Sequence, residues 1–398
     1  MTENVKKLAQ DALDGVDKFL CGKAALENKD ELKSPIDIAK GLKRFFESVP
    51  VKQYAGERLF GRLRYGGCEY TADFYRRVGH GNLNKYWSGL CCDNPTPLFY
   101  WGWTHIVLDF DFVLKNGLKG YIDLINSRTE KNELHTAMEI VLDSLNELSC
   151  RYADICTDSE LSNVMRKVPM NPAETFYEAV QSVWFMFQLC PDSLGRIDQY
   201  LYPFYKKETE NGTLSRDDAS ELLEELFVKV FETQMDNVGL PISGHNHLVV
   251  GGYLEDGTDG FNELSKLVLE CIAELPTFRP QASFRYTKYT TAETIKYITE
   301  LNAKCQWIVF VNDEPRLPGM VDIGIDYKDA VDYTVVGCNE WCLPRGARID
   351  LAHINLIHSI EQLIYNDKDF LSAKSFDEVF ALFKKHLRAD MLAIAEEY

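Results

Sequence analysis

Val335 to Gly346 reads "VVGCNEWCLPRG". Glycine precedes Cys338, Glu340 follows it by two residues, and a Pro-Arg-Gly turn closes the stretch. Gly337 opens backbone conformations that other residues avoid, which lets Cys338 stand on a tight loop tip. In an extended segment, residues i and i+2 project to one side. A thiol at 338 and a carboxylate at 340 can then face one small ligand together. Such a cysteine can be a buried small hydrophobe, a metal ligand, a nucleophile or a radical carrier. The bland reading of the motif alone is an inert core thiol beside a solvated Glu340. Metal binding is disfavoured. Cys338 and Cys342 form C-x3-C, the third cysteine of a C-x3-C-x2-C cluster pattern would fall on Arg345, and the chain has no C-x2-C pair. A Cys–His hydrolase has His353 or His245 as candidate bases. Nothing fixes an orienting third group, however, and a neighbouring carboxylate raises a thiol's pKa.

Outward from this stretch, short runs rich in β-branched and aromatic residues read as strands: "HLVVGGYL" (247–254), "QASFRYT" (281–287), "WIVFVND" (307–313) and "DYTVVGC" (332–338). Helical periodicity separates them in "DGFNELSKLVLECIAEL" and "TAETIKYITELNAKC". Alternating strands and helices predict a parallel sheet or barrel with outer helices. Chemistry in such sheets collects at the carboxyl edge, and Cys338 is expected there. Upstream, 111–125 and 132–155 read as amphipathic helices. "NPAETFYEAVQSVWFMFQL" reads as a buried helix capped by Asn171, with Pro172 in its first turn. Ser215 is a good cap for the helix after it. Residues 1–50 read as helical and 55–105 as loop-rich.

Of 398 residues, 45% are hydrophobic and 26% charged, an ordinary globular balance. The net charge of −18 repels phosphate backbones and anionic lipid, so neither nucleic acid nor a membrane is an expected partner. Eleven cysteines at irregular spacing, behind an amphipathic rather than apolar N-terminal stretch, suit a reducing cytoplasm and an anaerobic cell. No run approaches the roughly 20 apolar residues that span a bilayer.

From about residue 100 to 360, the chain resembles the barrel domain of the pyruvate formate-lyase-like glycyl radical enzymes. The matching stretches occur in family order: "HIVLDFDFVLKNGLKG", "RYAD" with "ETFYEAVQSVWF", "LGRIDQYLYPFY", "GGYLEDGTDGFNELSKLVLE", "RPQASFRY", "FVNDEPRL" and "DAVDYTVVGCNE". The last matches the family's Gly-Cys-x-Glu cysteine loop. The resemblance implies an α/β fold: a partial or split ten-stranded α/β barrel over 101–398, with the cysteine loop (337–340) at its centre and an N-terminal helical and loop region over 1–100. It also implies that Cys338 carries a thiyl radical that removes a hydrogen atom from a small substrate, with Glu340 as the base of an elimination. Asn339 stands where pyruvate-cleaving members have a second cysteine, which argues against that reaction. Decarboxylation or C–C chemistry is the alternative within the family.

By the same resemblance, His105 and Asp350 stand at pocket positions, and Trp341 replaces the proline after the glutamate. Arg285 is a candidate clamp for a substrate carboxylate. Each has a structural alternative: a core histidine, a loop cap, core or interface packing and a structural ion pair, respectively. Cys190, Pro191 and Asp192 stand where diol dehydratases place a His-Ser pair. No cofactor is expected on this chain itself, because only sixty residues follow Cys338 and the family's Arg-x-x-Gly-Tyr-type glycyl loop is not among them. The glycyl radical is expected on a second subunit, installed by a radical-SAM activating enzyme. A gene fragment and a radical-free binding or regulatory subunit are the alternatives.

Overall fold

The computed structural model describes residues 1–21, 34–64, 99–101, 107–189, 191–234, 246–277, 279–337, 339–345, 352–354 and 356–397. Its strands are β1 (Leu20–Cys21), β2 (Leu63–Arg64), β3 (Phe99–Trp101), β4 (His247–Gly251), β5 (Gln281–Tyr286), β6 (Ile308–Asn312), β7 (Thr334–Val336), β8 (Glu340–Cys342) and β9 (Ala352–Ile354). The chain divides into two compact units, Met1–Tyr70 with His105–Arg348, and Thr71–Thr104 with Ile349–Tyr398. By contacts, the described residues of the N-terminal part group with the sheet-bearing part.

In the first unit β4, β5 and β6 form a parallel sheet, and single parallel bridges extend it from His247 to Ser193 and from Ser193 to Val107. Five parallel positions therefore lie side by side in chain order, half the number in a ten-stranded barrel. The helices Glu263–Glu274 and Ala292–Cys305 make the crossovers from β4 to β5 and from β5 to β6. Strand alternation divides the side chains between two faces. Leu248, Val250, Ala282, Phe284 and Ile308 share one face, while His247, Val249, Ser283, Arg285, Val309 and Val311 share the other. Val249 and Val311 of this second face pack with Leu317, Met320, Tyr333 and Val335 in a buried cluster.

The stretch 332–338, read from sequence as another strand of this alternation, is instead one arm of an antiparallel hairpin, β7 with β8. Val335 pairs with Trp341 on the face turned to the buried cluster. The hairpin thus lies against the inner side of the parallel sheet.

The segment Glu57–Leu63 falls in the loop-rich part of the sequence, yet it is buried. Side chains of two helices, Phe176–Phe187 and Arg216–Gln234, satisfy its backbone as a neighbouring strand would. Gln181 accepts from the Phe60 N–H and donates to the Phe60 carbonyl. Trp184 donates to the Gly61 carbonyl, Gln188 accepts from Leu63, and Glu225 accepts from Arg58 and Leu59. Arg62 pairs with Glu57 and Glu232, and Lys229 reaches Glu57 at 2.9 Å. Burial pushes the Lys229 ammonium down to about 8, because desolvation outweighs its carboxylate neighbours.

The Phe176–Phe187 helix starts four residues later than the sequence suggests. Thr175 and Glu178 form its capping box. The residues before it serve another purpose. Gly117, at φ 67°, breaks the helix Phe110–Asn126, and the freed backbone pairs with the incoming segment: Leu118 with Pro169, Lys119 with Met170, and Ala173 with Leu114. Ser215 caps as expected, accepting from Asp218 at 3.0 Å.

In the second unit β3 pairs antiparallel with β9, and helices Leu356–Asn366 and Phe376–Glu397 pack together through Ser359 with Asp390 and Asp367 with His386. Among the described residues no helix is long and apolar enough to cross a membrane.

Candidate active site around the hairpin tip

β7 runs against the direction of the sheet strands. Its lead-in residues Val331 and Tyr333 contact Arg285 at the carboxyl end of β5, whereas Gly337 contacts His247 at the amino end of β4. The Gly337 end of the hairpin is therefore not at the carboxyl edge that the sequence suggested. It has threaded along the inner face toward the amino ends.

One edge of β7 is paired with β8. On the other edge, the carbonyls of Tyr333, Val335 and Gly337, and that of Val331 in the turn before β7, are all taken by side chains. Val331 accepts from Arg196 Nη1 at 2.7 Å and Arg285 Nη1 at 3.0 Å. Tyr333 accepts from Arg285 Nη1 at 2.8 Å. Val335 accepts from Ser193 Oγ at 2.9 Å, and Gly337 accepts from His247 Nε2 at 2.6 Å. A carbonyl can only accept, so Nε2 carries the proton. The Ser193 hydroxyl has one proton; with Val335 as its nearest acceptor, it takes the Gly195 N–H on a lone pair. These donors form a ladder of side chains where a sixth strand would supply backbone.

Arg285 is fully buried, against the inner face. Its Nε and Nη2 hold Asp313 at 2.8–3.2 Å, and its guanidinium stacks on Tyr333 at 3.7 Å from the ring centre. Burial alone would lower its pKa, but Asp313, Tyr333 and Asp332 together outweigh that and hold it above its ordinary value. Tyr333 donates its hydroxyl to Asp313 at 2.6 Å. This is the structural ion pair of the sequence reading, and the substrate-clamp role gives way to it, since the guanidinium is spent on Asp313 and two backbone carbonyls. Gly251 and Gly252, both at positive φ, make room for it: a Cβ on Gly252 would lie 2.6 Å from Arg285 Cζ. Gly252→Ala is expected to lower stability through both backbone strain and overpacking, each about 1–3 kcal/mol. A fall in the urea midpoint at constant m would show it.

The other sequence candidates fare differently. Cys338, His105 and Asp350 lie outside the described residues. Glu340 opens β8 opposite Val336 and is half-buried. The segment before it is not extended: Gly337 is at φ 53° and Asn339 at φ 92°, and the Asn339 N–H bonds back to the Val336 carbonyl at 3.1 Å. The expected i, i+2 projection is thus replaced by a hairpin turn, which Gly337 was expected to permit and does. Trp341 packs on the cluster around Val249 and Val311, its core-packing alternative. Burial raises the Cys342 thiol above its ordinary range and leaves it poorly nucleophilic.

Sequence reasoning read His247 only as the start of a strand and Arg196 only as part of a motif, and gave Ser193 no role. The usable signal was period-2 placement: 247 and 249 share a face with 283 and 285. A cavity of about 420 Å³ lies at the base of the hairpin, not at its tip, with Asp109, Arg196, Asp332 and Arg345 in its wall. Burial raises both Asp109 and Asp332.

Residues 96–393 match the protein family described as "Pyruvate formate lyase-like". Isethionate sulfite-lyase of Oleidesulfovibrio alaskensis is 31% identical over 320 residues, which is 67% of this chain and 37% of that protein. Trans-4-hydroxy-L-proline dehydratase of Clostridioides difficile is 28% identical over 313 residues, covering 67% and 39%. The chain therefore spans well under half the length of these relatives. A solved structure concerned with 1,2-propanediol dehydration in Roseburia inulinivorans superposes with a TM-score of 0.76 at 21% identity, over 97% of this chain and 61% of that one, and supports the fold.

Proposed function

The chain belongs to the pyruvate formate lyase-like family, and on that premise we propose that it is the cysteine-loop part of a glycyl radical enzyme. The reaction is an elimination, of lyase or dehydratase type, on a small polar molecule. The observation that most supports this reading is the Gly337–Glu340 turn, carried on a hairpin that five parallel positions back and a ladder of sheet side chains holds. The activities of the two relatives, a lyase and a dehydratase, point the same way.

The unpaired electron would come from a glycyl radical on a second subunit, installed by a radical-SAM activating enzyme. The Cys338 thiol would give its hydrogen atom to that glycyl radical, and the sulfur radical then takes one from a substrate C–H bond, forming S–H again and leaving an unpaired electron on carbon. Once the leaving group has gone, the product radical takes the hydrogen atom back and the sulfur radical is restored. Glu340 accepts the proton of a hydroxyl beside that carbon while the leaving group departs with its bonding pair. A carboxylate within about 3 Å of that proton can act so. Residues of β7 and the inner face exclude water from the stem. An oxygen-free cytoplasm suits this chemistry.

A second subunit is supported by exposed apolar side chains of the second unit, Leu371 and Phe376 at 90% and 78% exposure, since such surface usually marks an interaction site. His105 and Asp350 remain proposed pocket residues.

The test is co-purification from the native host followed by EPR after anaerobic activation. A co-purifying chain and a glycyl doublet support the proposal; neither appearing removes it. Glu340→Gln is expected to block elimination while hydrogen still exchanges into substrate, as seen by mass spectrometry of recovered substrate in deuterated buffer. Normal elimination by that variant would place the base elsewhere.

A further inference from the structure

We propose that His247 is a positioning residue, the last rung of a side-chain ladder that fixes how far the cysteine hairpin reaches along the inner face. The inference deepens the function proposed above and rests on it only for the role of Cys338.

The Gly337 carbonyl belongs to the peptide group that joins Gly337 to Cys338. A hydrogen bond to that oxygen fixes the plane of the peptide from which Cys338 starts. His247 is suited to supply it. Its ring is fully buried, and Nε2 lies 2.6 Å from the oxygen. Its own backbone is held by both its groups to the segment beside β4, donating to the Asp192 carbonyl at 3.1 Å and accepting from the Leu194 N–H at 2.7 Å. The ring is thus anchored to the sheet, not to the hairpin that it orients. Ser193 adds the rung below, two residues back along β7.

Register follows from the spacing. Alternate carbonyls of a strand point to one side, so donors matched to Tyr333 and Val335 miss after a slip of one residue, and His247 then misses Gly337. A slip of two would move each donor to a neighbour's acceptor and leave the terminal rung without Gly337.

The test compares His247→Leu with His247→Gln in the full chain by amide hydrogen exchange, read at residues 337–340 and at β4 and β5. His247→Leu is expected to speed exchange at 337–340 about tenfold with little change in β5. His247→Gln, which keeps a side-chain N–H donor, is expected to restore most of the protection. Unchanged exchange at 337–340 in His247→Leu overturns the proposal. So does faster exchange spread evenly over β4 and β5 in both variants, which is general loosening. Should His247→Leu not fold, Ser193→Ala is read in the same way: faster exchange confined to 335–339 supports the ladder, and none refutes it. Exchange needs no radical, so the ladder can hold while Cys338→Ala keeps full turnover, an outcome that would refute the thiyl role alone.

Discussion

Cys338→Ala is expected to lower turnover in the activated complex by about 10⁴-fold or more, a barrier increase of roughly 5–6 kcal/mol, because no other group in the turn can form and break an S–H bond. The glycyl EPR signal should persist, since the proposed radical store is a glycine and not Cys338. The fold should persist too: alanine keeps the backbone of the turn, whose bonds run through Gly337 and Asn339. Cys305→Ala, at the end of the crossover helix between β5 and β6, serves as the control and should retain turnover. Product formation under anaerobic activation, normalised to spin count, checks both variants. Retained turnover in Cys338→Ala would remove that sulfur from the chemistry.

Arg285→Met is expected to be the most destabilising single change in the sheet, at about 3–5 kcal/mol. It strands Asp313, which is fully buried. The Tyr333 hydroxyl and the Tyr253 N–H would remain to it, but no cation. The carbonyls of Val331 and Tyr333 would also lose donors, although Arg196 still reaches Val331. With a whole-protein stability on the order of 5–15 kcal/mol, the loss is a large share of the total. Arg285→Lys should recover only part of it, because an ammonium cannot span Asp313 and the two carbonyls as the planar fork does. Urea denaturation of the three proteins measures the order: wild type above Arg285→Lys above Arg285→Met.

Much of the fold was legible in the residues. The strands at 247, 281 and 307 were readable because their β-branched runs are bounded by helical periodicity, and each formed where expected. Ser215 was readable as a cap because its hydroxyl acts on its own neighbours in the chain. The hairpin was not readable in this way. "DYTVVGC" has the composition of a sheet strand, and nothing within it states that its partner is the next segment, nor that it runs antiparallel to the sheet. That outcome is decided by donors far away in sequence, at 193, 196, 247 and 285. Arg285 was ambiguous for the same reason: a lone arginine on a strand does not reveal that Asp313, twenty-eight residues on, will face it. Asn171 misled because a cap signal competes with tertiary use of the same backbone, here the pairing with the break at Gly117. The Gly-Cys-x-Glu motif pointed to the proposed chemistry by resemblance, while the residues that hold the hairpin came only from the fold.

The most direct test of the account is a crystal structure of the chain with its subunit and substrate bound. The account predicts the Cys338 sulfur on the inner side of the sheet, about 3–3.5 Å from a substrate carbon that bears hydrogen, with the Glu340 carboxylate turned to the same molecule. A sulfur on the helical side of the sheet, or a Glu340 carboxylate facing bulk water with substrate bound elsewhere, would contradict it.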